Sequence, residues 1–338
     1  MKTISELEQR LSEPSDRLIR DLTQLDGDVL ILGVGGKMGP SLAKLLARGL
    51  AAAGKTMKVT GVSRFSSGTL REELEAAGIR TISADLLDEN ALSRLPEAPN
   101  VIYMAGNKFG TTGREYYTWA MNAYLPGRVA EKFKASRIVA FSSGNIYPLT
   151  EITKGGASEE TAPAPIGEYA QSCLGRERVF EYFSRKNGTP LVNFRLNYAI
   201  DMRYGILLEV AKAVKEREPI DLNMGMVNVI WQGDANEMAI RSLLHCASPP
   251  KTINVTGPET VSIRWLAERF GEAFGVEPIF TGEEQPTALL SNASTSHAIW
   301  GYPQVSLRQM MQWTVEWIEA GGATLGKPTH FQERGGMF

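Results

Sequence analysis

The chain has 338 residues, of which 36 are Lys or Arg and 38 are Asp or Glu, so its formal net charge is −2. This balance indicates no basic surface for nucleic acid or an anionic membrane, and we expect neither partner. The composition, 43% hydrophobic and 22% charged, is typical of a globular protein with a sizeable core.

Two cysteines, Cys173 and Cys246, are too few for a disulfide framework, which indicates a reducing, cytoplasmic location. The amino-terminal segment lacks the apolar core of a signal peptide, and no apolar run reaches the length of a membrane span. The 3 histidines are scattered and the cysteines lie far apart, so the sequence predicts no metal site.

Residues 1–26 predict an N-terminal helical extension that Pro14 interrupts. From 27 to 197, short β-rich runs alternate with helical patterns, and we interpret this segment as a dinucleotide-binding domain. The alternation predicts an α/β fold with a doubly wound parallel sheet of the Rossmann type. The predicted strands are 29–32, 57–62, 80–83, 101–104, 137–142 and 191–194, and the main predicted helices are 38–53, 114–133 and 168–186.

After residue 197 the alternation loosens, with a strand predicted at 227–231 and helices at 206–217, 236–246, 263–274 and 307–319. We interpret 198–233 and 258–321 as a smaller α/β substrate domain, and 234–257 as a segment that packs back onto the first domain. This domain should cover the carboxyl ends of the strands, where open α/β sheets bind ligands. The glycine-rich tail, 322–338, is either loose or wrapped around the body.

A glycine-rich turn joins the first predicted strand to the helix that follows. Gly33, Gly36 and Gly39 are spaced three residues apart, and Lys37 and Met38 lie between the last two. Glycine permits a tight turn in which backbone N–H groups and the following helix N-terminus face a pyrophosphate. An ordinary βα turn is the alternative, but the flanking strand and helix favour a dinucleotide site.

The end of the second predicted strand bears on the choice of cofactor. An acidic residue there would hold the ribose 2′-hydroxyl of NAD, but the segment 61–67 has none. Arg64 has the fork geometry that suits a 2′-phosphate, and Ser63, Ser66 and Ser67 add hydrogen-bond donors. The sequence therefore favours NADP over NAD, with a solvated surface arginine as the alternative.

Several further segments resemble, in the same order, the extended short-chain dehydrogenase/reductase family, also named the NAD-dependent epimerase/dehydratase family. The resemblance runs from about residue 28 to 318 and includes the loop 104–108, the segment 141–147, the stretch 159–163 before Tyr169, and the segments 229–234 and 254–262. It implies that the cofactor is contacted by Asp85, Leu86, Met104, Ala105, Gly106, Lys108, Asn122, Tyr169 and Cys173.

The resemblance also implies catalytic roles. Tyr169 would act as general base or acid, Ser143 would hydrogen-bond the reacting oxygen, and hydride would pass to or from the nicotinamide. The family has a lysine four residues after the tyrosine, where this chain has Cys173. Free tyrosine has a pKa of about 10, so a nearby positive charge is needed to favour the phenolate at neutral pH.

Three interpretations of Cys173 stay open. In the first, another cation replaces the lysine, with Lys108 favoured over Arg176, and the oxidised nicotinamide adds positive charge. In the second, the chemistry needs no strong tyrosine base. In the third, catalysis is lost and the fold persists as a silent NAD(P)-binding regulatory or scaffold protein.

The substrate side departs from the nucleotide-sugar enzymes of the family. The segment 223–229 has no arginine where those enzymes usually hold a diphosphate, and 198–231 is short for a nucleotide pocket. Both features predict a small polyhydroxylated substrate: a sugar, a sugar acid or a polyol. Asn145, Asn197 and Tyr198 should reach it, and Arg203 either meets a carboxylate or lies on the surface.

The sequence therefore predicts an NAD(P)-dependent oxidoreductase or epimerase with Tyr169, Ser143 and Lys108 as catalytic residues. The alternative is the silent nucleotide-binding protein. The family resemblance further predicts a homodimer that pairs the helices 114–133 and 168–186 with their copies in a second subunit.

Overall fold

The computed structural model describes residues 1–66, 68–108 and 112–336. Its strands, in chain order, are β1 Val29–Leu32, β2 Val59–Ser63, β3 Arg80–Ser83, β4 Asn100–Tyr103, β5 Arg137–Ser143, β6 Thr150–Glu151, β7 Leu191–Leu196, β8 Ala199–Ile200, β9 Pro219–Asp221, β10 Met226–Val227, β11 Ile230–Trp231, β12 Lys251–Val255, β13 Val261–Ser262, β14 Ile279–Thr281 and β15 Thr287–Ala288.

The helices of the described residues begin with two short N-terminal ones on either side of Pro14. In chain order they are α1 Ile4–Leu11, α2 Asp16–Leu22, α3 Gly39–Ala52, α4 Leu70–Ala76, α5 Glu89–Ser93, α6 Glu115–Trp119, α7 Leu125–Lys132, α8 Gly167–Asn187, α9 Ile206–Glu216, α10 Gln232–Arg241, α11 Ile263–Phe274, α12 Ser294–Trp300 and α13 Leu307–Glu319.

The predicted doubly wound parallel sheet is confirmed. Seven strands lie in the order β12-β7-β5-β4-β1-β2-β3, and every neighbouring pair is parallel. β1 lies inside the sheet, and all four of its residues are buried, as expected of a strand covered by helices on both faces. One face carries a core that includes α2, α3 and α10, and the other carries a core that includes α7 and α8.

The strand β12 was not predicted from the sequence. It pairs with β7 at the edge of the main sheet, in register from Lys251 opposite Val192 to Val255 opposite Leu196. The helix α10 before it packs on α3. α10 and β12 thus extend the sheet and helix layer built by the first half of the chain. No local sequence pattern indicates that β12 pairs with β7.

The single helix predicted at 114–133 is interrupted. A π-helical turn, Ala120–Tyr124, separates α6 from α7. Pro126 follows in the first turn of α7, and its missing N–H removes the i→i−4 bond to the Asn122 carbonyl. That carbonyl instead accepts a hydrogen bond of 3.4 Å from Arg176 Nε on α8. The wider turn fixes Asn122 between the two helices.

A third core lies in the second half of the chain and also receives α1. It is formed chiefly by α9, α11 and α13. The single strand predicted at 227–231 is two short ones: β10 pairs antiparallel with β13, while β11 pairs parallel with β8. The two residues between them, Asn228 and Val229, are both buried, so burial is continuous through the segment although the strand pairing is not.

The described part of the tail crosses the second half of the molecule rather than extending from it. Leu325 N donates to Arg203 O at 2.9 Å, and Phe331 is buried in the third core. Arg334 donates to Asn223 O at 3.0 Å and to Thr287 O at 2.8 Å. Gly336 then lies against Gly167 at the start of α8.

Candidate active site

A cleft of about 400 Å³ opens at the carboxyl ends of β1, β4, β5 and β7. A second pocket, of about 390 Å³, adjoins it and shares Gly33, Gly36, Met104, Gly106 and Lys327. The cleft brings together thirteen residues that the sequence singled out: Gly33, Gly36, Lys37, Met38, Gly39, Met104, Gly106, Lys108, Ser143, Asn145, Tyr169, Asn197 and Tyr198.

The glycine-rich turn fits a dinucleotide. Gly33 has φ +91°, and a side-chain Cβ there would lie 2.6 Å from Ala105 N. The turn therefore sits directly against the loop after β4, with the N-terminus of α3 opening toward the cleft. A pyrophosphate at this place would meet backbone N–H groups and the positive end of α3.

The adjoining pocket holds six further residues that were predicted to bind the cofactor. They are Ser63, Arg64, Ser66, Asp85, Leu86 and Ala105. Arg64 is exposed at the pocket edge, and its backbone oxygen accepts a hydrogen bond of 3.0 Å from Ser83 Oγ. The pairing of Arg64 with a 2′-phosphate stays a prediction, and Ser67 lies outside the described residues.

Ser143 and Tyr169 meet in the cleft from β5 and from the first turn of α8. The Ser143 hydroxyl acts to lower the pKa of Tyr169, and it donates to Asn145 Oδ1 at 2.9 Å and accepts from Asn145 N at 3.1 Å. The serine oxygen is thus held at the end of the strand by the turn that follows it. A substrate oxygen placed between the two hydroxyls could receive a hydrogen bond from the phenol and, once the serine proton turns from Asn145 Oδ1, one from Ser143 as well.

Cys173 lies behind Tyr169, one turn along α8, and it is fully buried. Burial raises the pKa of Tyr169 well above its usual value, and the neighbouring Cys173 acts in the same direction. A lysine here would favour the phenolate, whereas the buried thiol of Cys173 supplies no positive charge. Cys173 therefore lacks the positive charge that would stabilise the phenolate of Tyr169 at this position.

Lys108 is held over the cleft by an asparagine network. Its neighbour Asn107 donates from the backbone to Asn122 Oδ1 at 2.8 Å, and Asn122 Nδ2 donates to Asn107 O and to Ser172 Oγ, each at 2.9 Å. Lys108 Nζ lies 5.9 Å from the centroid of the Tyr169 ring. Burial lowers the pKa of Lys108, while Cys173 and Glu209 act to raise it.

A second cation stands below Tyr169 on the same face of α8. Arg176 is buried, and its guanidinium donates to Phe141 O at 2.7 Å and to Asn122 Oδ1 at 2.8 Å. Its charge lowers the pKa of Tyr169, against the larger effect of burial. The sequence ranked Arg176 below Lys108, because spacing along the helix did not show that the side chain folds back toward the tyrosine.

Among the described residues, three predicted site residues line neither the cleft nor the adjoining pocket. Asn122 and Cys173 lie behind the cleft wall. Arg203, predicted to meet a substrate carboxylate or lie at the surface, is turned away: it binds the buried carboxylate of Asp201 with two side-chain hydrogen bonds and Glu8 with a third. Because those acids occupy the guanidinium fork, the geometry gives the substrate role no support.

Sequence reasoning missed the residues that the second half of the chain brings to the cleft. Tyr204 and Thr329 line it, and Glu209 on α9 accepts two hydrogen bonds from Thr329, at 2.5 Å from the backbone and 2.7 Å from the hydroxyl. Burial raises the pKa of Glu209. No sequence motif marks these three residues. The sequence does show an apolar face on α9 and polar residues in the tail, but neither pattern indicates a site.

Within the described ranges, no helix is both long and apolar enough to cross a bilayer. The same residues contain no cluster of three or more His, Cys, Asp or Glu side chains arranged to hold a metal ion.

The fold is shared with solved structures of nucleotide-sugar enzymes. A UDP-glucose 4-epimerase of Thermotoga maritima with UDP-glucose superposes with TM-score 0.69 at 17% identity, over 87% of this chain and 99% of that one. A UDP-glucose 4-epimerase of Thermus thermophilus with NAD gives 0.70 at 19% identity, over 86% and 99%. DesIV, a dTDP-glucose 4,6-dehydratase of Streptomyces venezuelae with NAD, gives 0.73 at 16%, over 86% and 97%.

Identities this low establish a common fold alone, and no curated protein matches the chain. The family assignment comes from the sequence model of the NAD dependent epimerase/dehydratase family, which matches residues 29–201, just over half of the chain. That match spans the glycine-rich turn, Ser143 and Tyr169. The chain therefore belongs to the NAD-dependent epimerase/dehydratase family.

Proposed function

We propose that the protein is an NAD(P)-dependent oxidoreductase or epimerase that acts on a small polyhydroxylated substrate, such as a sugar, a sugar acid or a polyol. The observation that carries the proposal is the convergence of Ser143, Tyr169 and Lys108 on one cleft, at the end of the glycine-rich turn. The bound dinucleotide would supply a hydride acceptor or donor beside them.

The positions of the side chains support the following proposed roles. Ser143, fixed by Asn145, hydrogen-bonds the oxygen of the reacting carbon. Tyr169 gives a proton to that oxygen or takes one from it. Lys108 and Arg176 supply positive charge, which lowers the energy of the phenolate that forms during the transfer. The neutral Cys173 leaves this task to these two residues.

The cofactor is proposed to be NADP, with NAD as the alternative. Arg64 and the serines at 63 and 66 support NADP, because they line the adjoining pocket and no acid follows β2 before α4 among the described residues. The structural relatives named above that carry a nicotinamide cofactor hold NAD. Titration of the protein with NADP and with NAD therefore tests this cofactor preference directly.

The competing substrate class is the nucleotide sugars on which the structural relatives act. Two features support a smaller substrate. The segment 223–229 has no arginine, and Arg334, which approaches it from the tail, donates to the Asn223 and Thr287 carbonyls. Thr329 of the tail lines the cleft itself, so the tail occupies room on the substrate side.

A screen of hydride transfer tests the proposal. Purified protein would be mixed with NADP⁺ or NAD⁺ and a panel of aldoses, aldonates, uronates, polyols and UDP-glucose, and reduced nicotinamide would be followed by absorbance. Epimerisation would be followed in parallel by chromatography of the sugars. We expect turnover of a small polyol or sugar and its loss in Tyr169→Phe. Turnover of UDP-glucose alone would favour the nucleotide-sugar class, and cofactor binding without any turnover would favour the silent protein.

We also propose a homodimer through α6, α7 and α8. Four aromatic side chains on these helices and the π-helical turn between them are exposed: Tyr116 by 74%, Trp119 by 37%, Tyr124 by 52% and Tyr182 by 59%. An aromatic surface on two packed helices suits a second copy of the same surface. Light scattering at micromolar concentration should give twice the 37.1 kDa chain mass. Tyr182→Glu should give a monomer and the control Tyr302→Glu should not; a monomeric wild type would refute the dimer.

A further inference from the structure

The charged side chains that line the cleft in the described part of the chain are all positive. Among the residues that the structure describes, Lys37, Lys108 and Lys327 line it, and no Asp or Glu does. Lys327 also lines the adjoining pocket, so it lies where the two cavities meet. Lys37 and Lys108 instead line only the part that contains Ser143 and Tyr169.

Lys37 leaves the glycine-rich turn toward the substrate side. Its ammonium donates to Ala199 O at 3.0 Å and lies 3.9 Å from the centroid of the Tyr204 ring. Both partners belong to the connection between β7 and α9, which faces away from the pocket of Arg64. The Lys37 side chain is thus held against Ala199 and Tyr204 on the substrate side of the cleft, while the backbone of the glycine-rich turn faces the proposed pyrophosphate site.

The charges around Lys37 do not neutralise it. Burial lowers the pKa of Lys37 to about 7, Asp201 acts to raise it, and Lys108, Arg203 and Lys327 act to lower it further. The Asp201 carboxylate is fully buried and already binds Arg203 through both of its oxygens. An anion in the cleft would therefore relieve repulsion among the lysines.

A buried amide donor faces the same space. Asn197 lines the cleft and is 2% exposed, and its Nδ2 has no hydrogen-bond partner among the described residues. A buried donor left without an acceptor costs about 1–3 kcal/mol, so such a group favours a ligand oxygen. The ammonium of Lys37 and the amide of Asn197 are both donors without acceptor capacity at the nitrogen.

We propose that Lys37, together with Lys108 and Asn197, forms a binding site for a small anionic group of the substrate, a carboxylate or a phosphate. This inference rests on the proposed function and narrows its substrate class to sugar acids and sugar phosphates. Charge-assisted N–H···O bonds from ammonium groups suit either anion. Arg203, the residue that the sequence suggested for a carboxylate, is replaced in this role by Lys37.

Calorimetric titration of the cofactor-loaded enzyme tests the site. The probes are D-gluconate and D-glucose 6-phosphate, compared with the neutral D-glucitol and D-glucose at about pH 6, where Lys37 is protonated. We expect one of the anions to bind at least about 10-fold more tightly than its neutral counterpart. The anion that binds more tightly shows whether the site prefers a carboxylate or a phosphate. Lys37→Met should abolish the difference, Lys37→Arg should keep most of it, and the exposed control Lys251→Met should not change it.

Three results would overturn the site: no binding of either anion, equal binding of anions and neutral compounds by the wild type, or a Lys37→Met variant that loses affinity for reduced cofactor but keeps the anion preference. The last result would assign Lys37 to the cofactor phosphates. The proposed function fails separately, because hydride transfer to any neutral polyol that depends on Tyr169 would uphold it even if no anion were preferred.

Discussion

The two walls of the cleft are assembled differently. On the cofactor wall, the residues sit in loops directly after the parallel strands β1, β2, β4 and β5, so the register of the sheet places them. On the substrate wall, Tyr204, Thr329 and Lys327 come from segments more than 100 residues apart, joined by the contact of Glu209 with the tail. The first wall follows from local sequence; the second depends on tertiary packing.

The same contrast exists around Tyr169. In the family that the sequence resembles, a lysine four residues after the tyrosine supplies a positive charge. In this chain that position holds the uncharged Cys173. Two cations from other places, Lys108 on the loop after β4 and Arg176 further along α8, approach the tyrosine instead. These two cations are the residues proposed to supply the positive charge that position 173 lacks, and no local motif marks either of them.

The largest expected effect concerns this charge. Lys108→Met should lower kcat by about 100-fold, the scale of a general acid–base contribution, because the phenolate of Tyr169 loses a nearby ammonium. The kinetic pKa assigned to Tyr169 should rise. The matched control is Lys132→Met, whose ammonium pairs with Glu97 far from the cleft. An unchanged rate and pH profile in Lys108→Met would show that the charge comes from elsewhere.

The cofactor wall gives the next largest effect. Arg64→Ala should weaken NADP binding by about 1.5–3 kcal/mol and leave NAD binding nearly unchanged, because only the 2′-phosphate loses a charge-assisted partner. Fluorescence titration of both reduced cofactors measures this. Arg71→Ala, on the exposed face of α4, serves as the control. Equal weakening of both cofactors would refute the role of Arg64 in selection.

A substitution on the substrate wall should have a smaller effect than one on the cofactor wall. Thr329→Val keeps the shape but removes the hydroxyl donor to Glu209, a net loss of about 1 kcal/mol, or roughly a 5-fold rise in KM. Limited proteolysis should cut the tail faster in this variant than in the wild type. Thr295→Val, which removes a hydrogen bond to Glu159 outside the cleft, is the comparison. A tail that is equally protected, with an unchanged KM, would mean that this contact does not hold the wall.

The sequence predicted the parallel sheet and most of the cofactor wall because strand periodicity and a glycine-rich turn specify local backbone geometry. β1 and β3 lie at the predicted residues, whereas β12 was missed because its pairing with β7 is set by packing across the sheet. The acidic partners of Arg203 were not foreseen for a similar reason. Its partner Asp201 is two residues away in the chain, but its other partner Glu8 lies in α1. No sequence pattern predicts the ion pair between Arg203 and Glu8.

The central claim is that Tyr169 is a proton carrier whose charge support comes from outside the helical position now held by Cys173. The pH dependence of hydride transfer in wild type, Cys173→Ser and Cys173→Lys tests it most directly. Burial and Cys173 raise the pKa of Tyr169, so oxidation by the wild type should increase with pH into the alkaline range. We predict that Cys173→Lys moves this rise to lower pH by about one unit or more, while Cys173→Ser leaves it in place. Identical profiles in all three proteins would contradict the claim.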